Sequence, residues 1–136
     1  MSKKFVFSLQ AVLDTRAAEQ RQRRLQLADA LRAEADALAA EQSVRAELAR
    51  LESDLRLATA SINIDLLLLT ETHRRQHALR NQLVALAAQR AELSSQANQC
   101  REALVAANRD LRVMESLREK QADEHRRERA RRVLGA

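Results

Sequence analysis

Apolar residues in the second half of the chain recur at alternating intervals of four and three residues. Most positions between them hold Gln, Arg, Glu, Asn or Asp. This is the spacing of the a and d positions of a coiled coil, which form one narrow apolar seam along a helix. We therefore predict a long amphipathic helix in which Arg90 is the one charged seam residue. The run consists of Leu79, Leu83, Leu86, Arg90, Leu93, Ala97, Cys100, Leu104, Ala107, Leu111 and Met114.

The first half has a helical apolar face with a less regular pattern. Its phase changes around residues 41–44, as an insertion in a heptad repeat would make it do. A second helix is therefore expected, with a change of register near Glu41. The expected face consists of Ala28, Leu31, Ala35, Leu38, Val44, Leu48, Leu51, Leu55, Ala58 and Ile62.

The segment TASINID, residues 59–65, separates the two halves. Its polar and β-branched residues cap helices better than they continue them, and Asn63 or Ser61 is expected to cap the second helix. We predict helix 1 over about 5–59, a turn over about 59–64 and helix 2 over about 64–132. The expected fold class is all-α, a long two-helix antiparallel coiled-coil hairpin forming a single domain over residues 1–136. A parallel dimer of long helices would show the same pattern.

The composition of the chain argues against an enzyme. Its 136 residues include 1 Gly, 0 Pro and 1% aromatic residues, which is poor material for a catalytic pocket. We expect no catalytic residue, cofactor or small-molecule substrate. The single Cys100 excludes an intrachain disulfide, and its seam position predicts a buried structural thiol. The apolar run at residues 66–69 is too short to span a bilayer, so a cytoplasmic protein is expected.

Positive charge is concentrated near both termini. The first 24 residues hold six basic and two acidic side chains, net +4, and residues 118–132 hold seven and four, net +3. Because the whole chain carries +5, the rest of it is net negative. A hairpin brings the two basic segments together, and this end is expected to dock onto an acidic partner.

The N-terminal segment Phe5-x-Phe7-x-Leu9-x-x-Val12-Leu13-x-x-Arg16-x-x-Glu19 resembles the FliJ family of flagellar export proteins. Leu117-Arg118-Glu119-Lys120 is similar to that family's L-x-E-K segment, and the size and turn position agree along essentially the full length. The YscO-like proteins of injectisomes would look similar.

This resemblance implies a non-enzymatic component of a type III export apparatus. FliJ-like proteins form an antiparallel coiled coil similar to the γ stalk of rotary ATPases. They bind the export ATPase hexamer as a central stalk, promote its assembly and activity, contact the export gate membrane protein and engage export chaperones. The implied location is the cytoplasm, peripheral to the inner membrane at the flagellar base. The implied ATPase contacts are Phe5, Phe7, Leu9, Val12, Leu13, Arg16, Leu117, Arg118, Lys120, Arg126 and Arg127.

Two roles are open for the phenylalanines. On helical spacing, Phe5 shares a face with Leu9 and Val12, and it would complete the hairpin seam. Its expected neighbours in that seam are Val113, Leu117 and Gln121. Phe7 does not share the Phe5 face, which makes it the sharper candidate for an exposed docking anchor beside basic residues. On that hypothesis, Phe7→Ala weakens ATPase binding without changing helicity.

His73 and His77 are four residues apart, a spacing that places both imidazoles on one helix face. Arginines lie between them and no carboxylate cluster is near, so a solvated face is expected and no metal site. By the same resemblance, Gln76 and His77 occupy the place of a polar pair near the export-gate contact. Arg90 is expected to set the register of the seam before it serves any partner contact.

Two other functions remain open. Clustered arginines and a pI near 10.5 suit binding to nucleic acid through the phosphate backbone. Acidic residues interrupt the arginines, and the C-terminal cluster has no aromatic side chain for base stacking. The other alternative is a generic structural coiled coil or scaffold. Binding to anionic lipid through the arginine-rich end is disfavoured, because residues 126–132 supply almost no apolar face.

Overall fold

The computed structural model of the protein describes residues 4–135. Lys3, which the sequence analysis counts in the basic N-terminal segment, lies outside them. Two helices, α1 (Gln10–Thr59) and α2 (Leu66–Leu134), pack against each other, and no strand is present in the described part of the chain. The predicted all-α helical hairpin is confirmed.

Contacts divide the chain into two compact units. Unit 1 combines residues up to 28 with residues from 99 onward, and unit 2 comprises residues 29–98. Each unit therefore contains part of α1 and part of α2. Unit 2 also contains the turn.

The two helices run antiparallel within unit 1. The Gln20 side chain donates to Asn108 at 3.0 Å, whereas Gln10, earlier in α1, accepts from Arg118, later in α2. A later residue of α1 thus pairs with an earlier residue of α2, as antiparallel packing requires.

The predicted seam of α2 is confirmed. Every position in its run is buried or half-buried, and the stripe continues toward the N-terminus of the helix through Gln76, which is also buried. Ala97 is the most deeply buried residue of the stripe, followed by Leu79 and Ala107. Small side chains at these positions allow the two helices to approach closely.

The seam of α1 differs from the prediction, and the expected register change near Glu41 is wrong. The least exposed positions follow steps of four and three without a break, whereas Ala28, Leu31, Ala35 and Leu38 are exposed. Polar residues occupy several seam positions. Before Glu41, the face predicted from apolar residues alone is therefore displaced by one residue toward the C-terminus. The observed seam is Arg16, Gln20, Arg23, Leu27, Ala30, Glu34, Ala37, Glu41, Val44, Leu48, Leu51, Leu55 and Ala58.

The turn lies where it was predicted, but its cap is a different residue. Asp65 Oδ1 accepts from the backbone N–H of Leu67 at 3.1 Å and of Leu68 at 3.3 Å, so Asp65 is the N-cap of α2. Neither Asn63 nor Ser61 has this role. Among the described residues no φ is positive, so this turn does not require glycine.

Candidate docking surface at the chain termini

The N-terminal segment precedes α1 and is not helical. The helix begins at Gln10, five residues later than predicted, and exposure alternates from residue to residue over residues 4–8. Phe5 is half-buried, Val6 is 80% exposed and Phe7 is 4% exposed. Residues two apart therefore share one side, which a helix does not allow. The expectation of Phe7 as an exposed anchor is wrong for this reason.

Phe5 is the aromatic side chain that remains accessible, and it lies against the C-terminal part of α2. Its ring centroid is 5.7 Å from that of His125, with the planes inclined at 48°. The guanidinium carbon of Arg118 lies 6.0 Å from the same centroid, at the outer limit of a cation–π contact. Of the neighbours expected for Phe5, Gln121 lies on the same side of α2, because both residues line one open groove.

The two segments that carry the family resemblance lie side by side in unit 1. Arg118 Nε donates to Gln10 Oε1 at 3.2 Å. Arg16 pairs with Glu19 at 3.3 Å and reaches Asp110 on α2 at 4.0 Å. All three contacts are solvent-accessible, so they orient the side chains more than they stabilise the fold.

The solvent-accessible residues around these contacts, exposed or half-buried, are called the terminal surface here. Leu13 and Leu117 are half-buried and belong to the packing beneath it, and Phe7 is buried. Arg126 is exposed and paired with Asp123 one turn earlier. The terminal surface comprises Phe5, Leu9, Val12, Arg16, Arg118, Lys120, Arg126 and Arg127.

An open groove of about 840 Å³ adjoins the terminal surface and shares Phe5 and Arg127 with it. Phe5 and the exposed Val6 give it an apolar wall, and the remainder is lined by Gln121, His125 and charged residues of both signs. Basic side chains outnumber acidic ones in this lining. The charged lining residues are Lys4, Glu124, Arg127, Glu128 and Arg131.

A charged cluster lies inside the seam of unit 2. Glu41 is 1% exposed, and its carboxylate contacts Arg90 Nε at 2.5 Å and accepts from Arg45 at 2.8 Å. Arg90 Nε and Glu41 Oε2 have no hydrogen-bond partner, so their contact is an ion pair and not a directed hydrogen bond. Arg90 lies on the seam as predicted. Glu41 was missed because a buried carboxylate is rare unless it is paired.

The remaining candidate residues do not form a site. Gln76 is 7% exposed and lies in the seam, whereas His77 is exposed, so the two do not present one surface pair. His73 is also exposed, and the described residues contain no cluster of three or more potential metal ligands. Cys100 lies on the seam as predicted but is half-buried.

Comparisons with family models, with curated proteins and with solved structures give no match for this chain. Neither described helix is long and apolar enough to cross a membrane. The functional inference therefore rests on the fold, the terminal surface and the sequence resemblance.

Proposed function

We propose that this protein is a non-enzymatic component of a bacterial type III protein export apparatus that binds the export ATPase through its terminal surface. In this role it promotes assembly and activity of the ATPase ring. It also links the ring to the export gate and to export chaperones. It works in the cytoplasm, peripheral to the inner membrane at the flagellar base.

The observation that carries this proposal is the meeting of two distant sequence segments. Residues 5–19 and 117–120, which resemble the FliJ family, lie together in unit 1 through the contacts of Arg118 with Phe5 and Gln10. A motif divided between the two ends of a chain favours a shared binding surface when folding brings its parts together.

The chemistry of the terminal surface also favours a protein partner. Phe5 supplies a half-buried aromatic ring, Arg118 lies 6.0 Å from that ring, and Arg127 and Arg131 line the same groove. Aromatic and Arg side chains dominate the binding energy of protein interfaces. The net positive charge of both segments would speed association with an acidic surface at moderate salt.

The test is the hydrolysis rate of the export ATPase of the same organism, titrated with this protein at near-physiological salt. We expect a saturable rise in rate. Phe5→Ala and Arg127→Ala should each raise the half-saturating concentration by about fivefold or more, the effect of losing an interface residue worth more than 1 kcal/mol. Both side chains are accessible, so neither change should alter helicity.

Val84→Ala is the matched control, because Val84 is an exposed residue of α2 in unit 2. It should leave the titration curve unchanged. No rise in hydrolysis together with no co-sedimentation would reject the proposal.

Nucleic-acid binding is the second candidate, favoured by the exposed arginines of residues 126–132. Its signature would be affinity for DNA or RNA that falls steeply between 50 and 200 mM salt, on the order of 10³-fold or more for six phosphate contacts. A gel-shift titration at the two salt concentrations separates this function from ATPase binding.

A further inference from the structure

The turn of unit 2 exposes a group of large aliphatic side chains. Each is between half and fully exposed, and Ile62 reaches 101%. The group occupies a stretch of 12 residues and is called the apical patch here. It comprises Leu57, Ile62, Ile64, Leu66, Leu67 and Leu68.

The residues of the apical patch lie outside the buried seam of unit 2. The half-buried stripe of α2 begins at Leu69, after the patch ends, and the seam of α1 ends at Ala58. Isolated exposed apolar residues are ordinary, but six large aliphatic side chains exposed within 12 residues are a concentration of apolar surface that points to a binding role.

The patch carries almost no charge, and the segment of α2 that follows it in sequence is net positive. Between residues 57 and 70 Asp65 is the one charged side chain, and its Oδ1 is occupied by two backbone N–H groups. Residues 71–80 carry three arginines and two histidines against Glu71. Arg75 pairs with Glu47 and Arg80 approaches Glu52, whereas Arg74 is exposed.

Three kinds of occupant compete for such a patch. A stable dimer interface buries about 800 Å² and 20–30 residues on each side, more than six side chains supply. In a protein–protein interface, most of the binding energy usually comes from Trp, Tyr or Arg side chains, whereas the patch is purely aliphatic. A bilayer accepts aliphatic side chains without shape complementarity, and anionic headgroups attract arginines beside the inserted residues.

We propose that the turn of this protein binds the surface of anionic lipid bilayers. The apical patch enters the boundary between headgroups and acyl chains, and Arg74 contacts the anionic headgroups. This binding goes beyond the proposed function and does not depend on the ATPase.

The experiment is flotation of the full chain with vesicles of phosphatidylcholine alone or with about 30% phosphatidylglycerol, at near-physiological salt. We expect binding to the anionic vesicles. The triple variant Leu66→Ser/Leu67→Ser/Leu68→Ser should bind the anionic vesicles about tenfold or more weakly, since burial of each leucine in the bilayer contributes substantially to the binding free energy. Arg74→Gln should weaken binding a few-fold and reduce its salt dependence.

Two further variants keep the test decisive. Ile62→Glu places a charge on a fully exposed turn residue, so it should abolish flotation without disturbing packing, even if the serine variant loses helicity. The matched control Val84→Ser/Val105→Ser/Val113→Ser changes three exposed aliphatic residues of α2 outside the patch. It should float like the unaltered protein.

Three results would overturn the proposal. One is the absence of flotation with anionic vesicles. Another is equal flotation of the Ile62→Glu variant, which would assign lipid binding to the basic residues 118–132. The last is an absence of flotation together with a dimer molar mass in solution that the Ile62→Glu change reduces to that of a monomer. That result would identify a second copy as the occupant. Because the assay contains no ATPase, its failure would leave the proposed function untouched.

Discussion

Glu41 shows what a single buried charge does to this hairpin. Its carboxylate is excluded from solvent and held by Arg90 and Arg45. A buried carboxylate without partners is strongly disfavoured, so any helix register that separates these residues is penalised. The cluster thus favours one alignment of α1 against α2 within unit 2.

Glu41→Ala should lower the free energy of unfolding by ~1–3 kcal/mol, because it leaves Arg90 in the seam without its carboxylate. The expected loss is smaller than for breaking a fully buried ion pair, because the Arg90 side chain is 41% exposed and solvent can hydrate its charge. Urea unfolding followed by circular dichroism measures the change.

Glu47→Ala is the control, since it breaks an accessible ion pair with Arg75 and should change stability by ~1 kcal/mol or less. The double variant Glu41→Leu/Arg90→Leu should recover most of the loss, because apolar side chains of similar volume replace a buried pair without penalty. Equal losses for Glu41→Ala and Glu47→Ala would contradict this account.

Phe5 and Phe7 illustrate how much depends on local backbone conformation. Their types and positions were evident in the sequence, but helical spacing separated their faces. Outside the helix they lie on one side, and burial of Phe7 leaves Phe5 as the accessible aromatic. Of the two candidates for a docking anchor, Phe5 is therefore the accessible one and Phe7 is not.

At the scale of elements, the two helices were predictable to different degrees. Apolar residues fill almost every seam position of α2, so hydrophobic periodicity alone identified its buried face. The seam of α1 includes Gln20, Arg23, Glu34 and Glu41, whose burial depends on what α2 places opposite them. Composition within α1 does not contain that information.

The start of α2 offers a test at the same scale. Asp65→Ala removes the acceptor for two backbone N–H groups and should lower stability by about 0.5–2 kcal/mol. Thermal and urea unfolding measure the change. Asn63→Ala, at the position first expected to cap the helix, is the matched control and should have an effect within about 0.5 kcal/mol. A larger effect at Asn63 would reassign the cap.

At the scale of the whole molecule, the question is whether the chain folds on itself. A parallel dimer would satisfy the same heptad pattern, but the pairing of Gln20 with Asn108 belongs to a hairpin. In a Cys100→Ser background, Gln20→Cys/Asn108→Cys treated with a short bis-maleimide should give an intramolecular cross-link. Its product should be monomeric on denaturing gels.

The single change Gln20→Cys in the same background is the control and should remain unlinked. Covalent dimers formed efficiently by the double variant at low protein concentration would contradict the hairpin. Their dominance would require each helix to pair with a second copy.

The sequence by itself determined the helical class, the position of the turn, the seam of α2 and the concentration of positive charge near both termini. These are local or additive properties, set by periodicity, helix propensity and charge counts. Only the tertiary structure decided the seam of α1, the burial of Glu41 and Phe7, and the accessible position of Phe5. Each of these depends on which atoms a second segment brings close, because burial of a polar or aromatic side chain is decided by its partner and not by its neighbours in sequence.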